Sequence, residues 1–147
     1  MSSEPSSSDQ PPSEPQDFTP QHLGKASNQP VDEVDLIPWT GGRIAVHLEC
    51  SEFTSLCPVT GHPDFATLDI DYEPGRHLVE TKSLKLYLWR YRERPAFNES
   101  LVDEIAEDLY RQLRPTWLRL VGRFHPRGGI AVTVRAERGE TAPDQTI

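Results

Sequence analysis

Long apolar runs are missing from this chain. No stretch approaches the ~20 residues needed to cross a bilayer, and the N-terminus has no basic start followed by an apolar run, so it does not read as a secretory signal. Cysteine is scarce, with Cys50 and Cys57 alone among 147 residues. Thiols without an export signal imply a reducing compartment, and the expected location is cytoplasmic. The glycine spacing of a dinucleotide-binding turn or a nucleoside-triphosphate loop is absent. An excess of positive charge is lacking too: the formal charge is -8, which argues against nonspecific nucleic-acid binding. Neither nucleic acid nor membrane is an expected direct partner. That charge sits in the tails. Residues 1–35 carry seven acidic side chains against Lys25, and residues 136–147 carry three against Arg138, which leaves 13 of each sign between them. A local basic pocket for an anionic cofactor remains compatible with this balance.

The chain divides by composition. Residues 1–33, rich in Ser, Pro, Gln and acids, offer too few apolar side chains to offset the entropy of ordering and predict a disordered tail. Residues 137–147 predict a flexible C-terminal tail, and 34–136 a single folded domain. Within it "GRIAVHLEC" alternates Ile44, Val46, Leu48 and Cys50, and "ATLDIDYEP" alternates Ala66, Leu68, Ile70 and Tyr72 against Thr67, Asp69, Asp71 and Glu73. Both read as half-buried strands. Residues 51–63 exceed a tight hairpin and place Cys57 in a long loop, where function often resides. After the extended "HLVE", a helical stripe runs through Leu84, Tyr87, Leu88 and Tyr91. A second follows through Leu101, Ile105, Leu109 and Leu113, with Asn98 or Ser100 as its cap, and Pro115 ends it. "WLRLVGRF" and "GIAVTVRAE", joined by the turn "HPRGG", complete the order. The predicted fold class is α+β: a ββααββ antiparallel sheet with two helices on one face, its open edges and uncovered face inviting association.

Several residues carry chemistry. Cys50, on the apolar side of a strand, reads as a core thiol. Cys57 lies beside Pro58 outside both strands, and three roles stay open for it: packed thiol, metal ligand or nucleophile. A useful nucleophile needs a depressed pKa or a proton acceptor, and Asp64 is close enough in sequence to relay a proton. His47, Cys50, Cys57 and His62 are of metal-ligand type, but their spacing matches no common zinc pattern, and His47 and Cys50 point to opposite faces of one strand. No metal is expected. In "ETKSLKLY", Lys82 and Lys85 fall three apart near the start of a helix, able to meet one anionic group, with Arg127 of the turn as a third contact. Glu80 and Glu99, each at a helix start, are caps or acceptors for a polar ring.

Taken in order, "SLCPVTGHPDF", "ETKSLKLYLW", "FNES" and "HPRGGI" resemble the short, single-domain NADPH-dependent 7-cyano-7-deazaguanine reductases, the nitrile reductases of queuosine biosynthesis, over roughly residues 34–136. The resemblance implies a tunnelling fold, with units joined side by side into rings as a homo-oligomer, expected to be a decamer of two stacked pentamers, and active sites between subunits. It implies NADPH as cofactor and a deazapurine nitrile as substrate. Cys57 matches the family's nucleophile, Asp64 its proton donor and Glu99 its deazapurine anchor. Lys82, Lys85 and Arg127 match the cofactor contacts, and Glu80 and Asn98 belong with the substrate. Two positions depart from the family pattern: Asn98 stands where the short form often has His, and His62 where Gln is common. Asn98 can hydrogen-bond a substrate but cannot donate a proton as imidazolium does.

Overall fold

The structure, a computed structural model, describes residues 20–21 and 29–142. Its elements are β1 (Leu36–Pro38), β2 (Val46–Leu56), β3 (Pro63–Glu73), β4 (His77–Val79), α1 (Thr81–Trp89), α2 (Asn98–Leu113), β5 (Trp117–Phe124) and β6 (Thr133–Gly139). Four strands form one antiparallel sheet in the order β2-β3-β5-β6, and β1 pairs with β4 in a separate two-stranded ribbon. The α+β arrangement with two helices is the expected one, and the ribbon is additional to it. The Tyr72 hydroxyl ties the ribbon to the sheet by accepting from Val79 N at 3.0 Å.

The two helices pack on one face. Leu68, Ile70 and Tyr72 of β3 and Leu118, Leu120 and Phe124 of β5 meet Leu101, Ile105 and Leu109 of α2 and Leu84, Tyr87 and Leu88 of α1 in a single buried cluster. The other face does not simply meet water. Asp69, Asp71 and Glu73 are buried there, Asp71 to 3 % exposure. Cross-strand partners account for them: His47 Nδ1 lies 2.7 Å from Asp71, Arg123 pairs with Asp69, and Arg43 Nε donates to Glu73 at 2.8 Å. Charges leave water only when paired.

Strand β2 runs further than its hydrophobic alternation predicts. Cys50 pairs with Leu68 and Phe53 with Ala66, so a β-bulge inserts one extra residue at Ser51–Glu52. The bulge resets the phase. Leu48 and Cys50 face the helices before it, Phe53 and Ser55 after it, and a reading by strict alternation stops at the break. Residues 51–56 are therefore strand, and the expected long loop over 51–63 reduces to the turn 57–62.

The ends differ from expectation as well. β6 begins at Thr133 and continues to Gly139, with Glu137 opposite Arg119 and Gly139 opposite Trp117, so 137–139 are strand and not tail. The N-terminal tail expected over 1–33 falls largely on 1–19 and 22–28, outside the described residues. Within the remainder, Val31 N donates to Leu86 O at 3.2 Å and the Asp32 carboxylate pairs with Arg90.

Helix α1 starts at Glu80, whose carboxylate accepts from Lys82 N and Ser83 N, both at 2.7 Å. Glu80 is 5 % exposed, so its removal would strand two amide donors beside buried structure. Glu80→Ala is expected to lower unfolding stability by about 1–2 kcal/mol, read from the urea midpoint with an unchanged m-value. Helix α2 has no side-chain cap: Phe97 is its N-cap residue, and Asn98 and Glu99 already lie in the first turn instead of capping from outside.

Candidate active site

Cys57 opens the turn that joins β2 to β3. Its N–H donates to His62 O at 2.9 Å, and its carbonyl accepts from Gly61 N at 2.9 Å. Gly61 has φ +70, a left-handed geometry that glycine adopts without a Cβ penalty. Cys57 itself is half-buried at the start of this turn. The Thr60 hydroxyl and the amides of Thr60 and Val59 hold the Cys57 thiol below the ordinary thiol range, against partial burial and the negative charge of Asp64. Cys50 behaves in the opposite way: burial, with a smaller push from Glu49, drives its thiol up to about 11. Of the two thiols, Cys57 is the one that ionises first.

Asp64 lies on β3 opposite Ser55, on the helix-covered side, and is buried. Arg127 reaches it from the neighbouring hairpin, Nε to Oδ1 at 2.7 Å. That hairpin is a two-residue loop: Arg127 and Ile130 exchange backbone bonds of 3.0 Å around Gly128 and Gly129, both at positive φ, as a type I′ turn requires. His125 N donates to Phe65 O at 2.9 Å and seats the loop against the start of β3. Arg127 also donates to Pro63 O and, at 3.5 Å, to the Thr60 hydroxyl. One guanidinium thus joins the cysteine turn to the aspartate.

Asn98 and Glu99 arrive from another direction. Leu56 N donates to Arg94 O at 3.4 Å and Ala96 N to Leu56 O at 3.1 Å, a parallel bridge between Leu56 and Pro95. This pins the entry to α2 beside the residue preceding Cys57. The exposed Phe97, at 61 %, with Asn98 and Glu99 follows directly. Cys57, Asp64, Arg127, Asn98 and Glu99 therefore gather at one end of the sheet.

Glu80, Lys82 and Lys85 do not join them within one chain. Lys85 lines a groove of about 320 Å³ between α1 and residues 48–54 of β2, with Cys50, Phe53, Leu84, Leu88 and Trp89. Cys50 is seven residues from Cys57 along β2, roughly 20 Å at the rise of a strand. The same separation rules out a Cys50–Cys57 disulfide within the chain, which needs Cα atoms within about 7 Å, and both cysteines are free. The considered zinc set is scattered too: Cys57 and His62 belong to the turn, Cys50 faces the core, and His47 is held on the opposite face by Asp71. Two polar groups at the site were not singled out from the sequence. Thr60, a hydroxyl three residues after the cysteine and next to glycine, could have been found by its turn chemistry. Ser55 Oγ, buried with no hydrogen-bond partner and across the ladder from Asp64, carries no such signal.

Comparison with known proteins bears on the larger part of the chain. The family model for QueF-like protein matches residues 63–143, a stretch that contains Asp64, Glu80, Lys82, Lys85, Asn98, Glu99 and Arg127 but not Cys57 and its turn. A protein of Nitrosospira multiformis named NADPH-dependent 7-cyano-7-deazaguanine reductase is 53% identical over 92 residues, 63% of this chain and 66% of that protein. Proteins of the same name from Anaeromyxobacter dehalogenans and Alkalilimnicola ehrlichii are 47% identical over 103 residues and 43% over 113, spanning 84% and 88% of their lengths and 70% and 76% of this chain. The crystal structure of the archaeosine synthase QueF-Like in the apo form superposes with a TM-score of 0.60 at 19% identity, covering 71% of this chain and 100% of that one. At that identity the likeness speaks to the fold alone. Among the described residues no helix is long and apolar enough to cross a membrane.

Proposed function

The chain belongs to the QueF-like family, and from that premise we propose that it is an NADPH-dependent 7-cyano-7-deazaguanine reductase acting in queuosine biosynthesis. The observation that carries the reading is the Cys57 turn, which follows directly on Ser55, the cross-strand partner of Asp64, and on Leu56, which bridges to the segment entering α2, and whose thiol Thr60 and Val59 hold below the ordinary range. A nitrile is a poor hydride acceptor, so covalent activation precedes reduction. Cys57 Sγ bonds to the nitrile carbon as Asp64 passes a proton to the nitrogen, giving a thioimide with no net loss of charge or atoms. Asp64 takes the proton released by the Cys57 thiol, or one from solvent, as its contact with Arg127 opens, and passes that proton to the nitrile nitrogen. NADPH, when bound, supplies hydride to the activated carbon, and two equivalents with two protons complete the change from nitrile to aminomethyl group. Between the reductions the C–S bond breaks, the electron pair returns to Cys57, and the imine stays in the pocket. Glu99 accepts from the ring N–H groups of the deazapurine, and Asn98 hydrogen-bonds the substrate without serving as an acid.

The cofactor fits the other end of β2. Lys82 and Lys85 lie one turn apart at the start of α1, where the helix dipole also favours anions, and the groove beside Lys85 has an apolar wall in Leu84, Leu88 and Trp89. Because none of Cys57, Asp64, Asn98 and Glu99 lines that groove in one chain, the working site is read as taking Cys57 from one subunit and the lysines from another. Strands β2 and β6 each have one unpaired edge in the sheet, and a ring of copies, with a decamer of two pentamers as the expected form, would pair them. The test is direct. Incubation with 7-cyano-7-deazaguanine should raise the intact mass by one nitrile per chain, and NADPH added afterwards should be oxidised at two equivalents per nitrile. No mass increase refutes the nucleophile, and an adduct without NADPH oxidation refutes the reductase.

A further inference from the structure

We propose that His47, Glu49 and Asp69 form a binding site for a divalent transition metal, with zinc as the cation that suits them, and that Asp71 orients His47 within it. The inference stands apart from the reductase reading. These residues lie on the sheet face turned away from the helices, whereas Asp64 lies on the helix-covered side. His47 and Glu49 alternate along β2, and the register sets Asp71 opposite His47 and Asp69 opposite Glu49. Two neighbouring pairs of one ladder thus carry an imidazole and three carboxylates. Each of His47, Glu49 and Asp69 brings a ligand atom to within 4.8 Å of the other two. Spacing along the chain shows no metal pattern here, because the ligands meet across two strands.

His47 Nδ1 lies 2.7 Å from Asp71 Oδ1, so this nitrogen directs the ring proton at the carboxylate, and in the neutral ring Nε2 keeps its lone pair. Nε2 faces Asp69 Oδ1 at 3.7 Å. That is beyond hydrogen-bond reach, but close to the ~3.4 Å that separates two ligands of a tetrahedral zinc. Glu49 and Asp69 face one another with like charge, which costs stability across a ladder, and a cation between them reverses the sign. Arg123 offsets part of that repulsion from Asp69 Oδ2 and leaves Oδ1 on the side of His47. Asp71 is 3 % exposed, and its Oδ2 is buried with no hydrogen-bond partner. Arg119 stands opposite Asp71 on β5 but sends its Nε to Glu137 at 3.0 Å. A metal on Nε2 strengthens the Nδ1–H donor, and with it the hydrogen bond that holds this buried carboxylate. One imidazole with two carboxylates suits zinc over calcium and magnesium, which take oxygen ligands. Glu49 is exposed, so the site opens to solvent on its side.

The experiment is equilibrium dialysis of EDTA-treated full-length protein against zinc chloride at about 10 µM free metal, with bound zinc read by elemental analysis. The wild type should hold one zinc per chain. His47→Gln, which loses the ligating nitrogen, should hold none. Asp71→Asn keeps an acceptor for the ring but loses the charge, and should weaken binding by about 10- to 100-fold. Glu49→Gln is isosteric and exposed, so it tests the site without touching buried structure, and it should weaken binding by about tenfold or more. Cys57→Ala should keep its zinc, since the site contains no thiol. A wild type that takes up no zinc is the result if His47 is an imidazolium shared between Asp71 and Asp69, and it overturns the proposal. Wild-type affinity in Glu49→Gln, or loss of the zinc in Cys57→Ala, overturns it as well. The readout uses neither nitrile nor NADPH, so its failure and that of the reductase reading are separate results.

Discussion

Cys57→Ala should show no mass increase with 7-cyano-7-deazaguanine and no NADPH oxidation above background, a loss of about three orders of magnitude or more. The loss should be chemical and not structural. The contributions of residue 57 to the turn come from its backbone, the N–H to His62 and the carbonyl from Gly61, and alanine retains both. The side chain is half-buried at a surface turn, outside the core cluster, so the urea midpoint should stay at the wild-type value. Cys50→Ala is the control. Its thiol packs against the core and is pushed up to about 11 by burial, so it is protonated at neutral pH and offers no competing nucleophile. Adduct formation should survive that change, with some loss of stability from the small cavity left behind. A Cys57→Ala protein that still gains mass, or a Cys50→Ala protein that does not, would move the chemistry to the wrong end of β2.

How legible this was depends on the kind of information each feature requires. Periodicity located both helices and the cores of β2, β3 and β5, because Leu101, Ile105 and Leu109, or Leu68, Ile70 and Tyr72, bury one face of a regular element. It failed where regularity fails. The bulge between Cys50 and Phe53 inverted the phase of β2 and made six residues of strand resemble loop. Acidic residues on β3 read as water-facing because their partners His47, Arg123 and Arg43 come from other segments, and burial by cross-strand pairing leaves no local pattern. β6 starts three residues after its apolar alternation begins, because Ile130, just past the Gly-Gly loop, points outward at 70 % exposure. Cys57 and Asp64 could be linked from the sequence since a hairpin returns one to the other. The approach of Asn98 and Glu99 could not, because it depends on the Leu56–Pro95 bridge between segments about forty residues apart.

The separation of the lysines from the sulfur leads to the second large effect. Cys57→Ala and the double variant Lys82→Ala with Lys85→Ala should each be inactive as NADPH-oxidising enzymes, the first lacking the proposed nucleophile and the second the proposed cofactor contacts. If each site draws Cys57 from one subunit and the lysines from a neighbour, subunits of the two kinds complement one another. After dissociation, mixing in equal amounts and reassembly, half of the subunits carry a working sulfur, and half of their neighbours carry working lysines. Activity should return to about a quarter of wild type. A site complete within one chain predicts no recovery, since every chain in the mixture carries one lesion. The lysine variant also separates binding from damage: it should still capture the nitrile on Cys57, because neither Cys57 and its turn nor Asp64 nor the start of α2 lines the groove that holds Lys85. Equal loss of nitrile capture and NADPH binding in that variant, or a mixture as inactive as its parents, would place the cofactor elsewhere and leave the groove between α1 and β2 without this role.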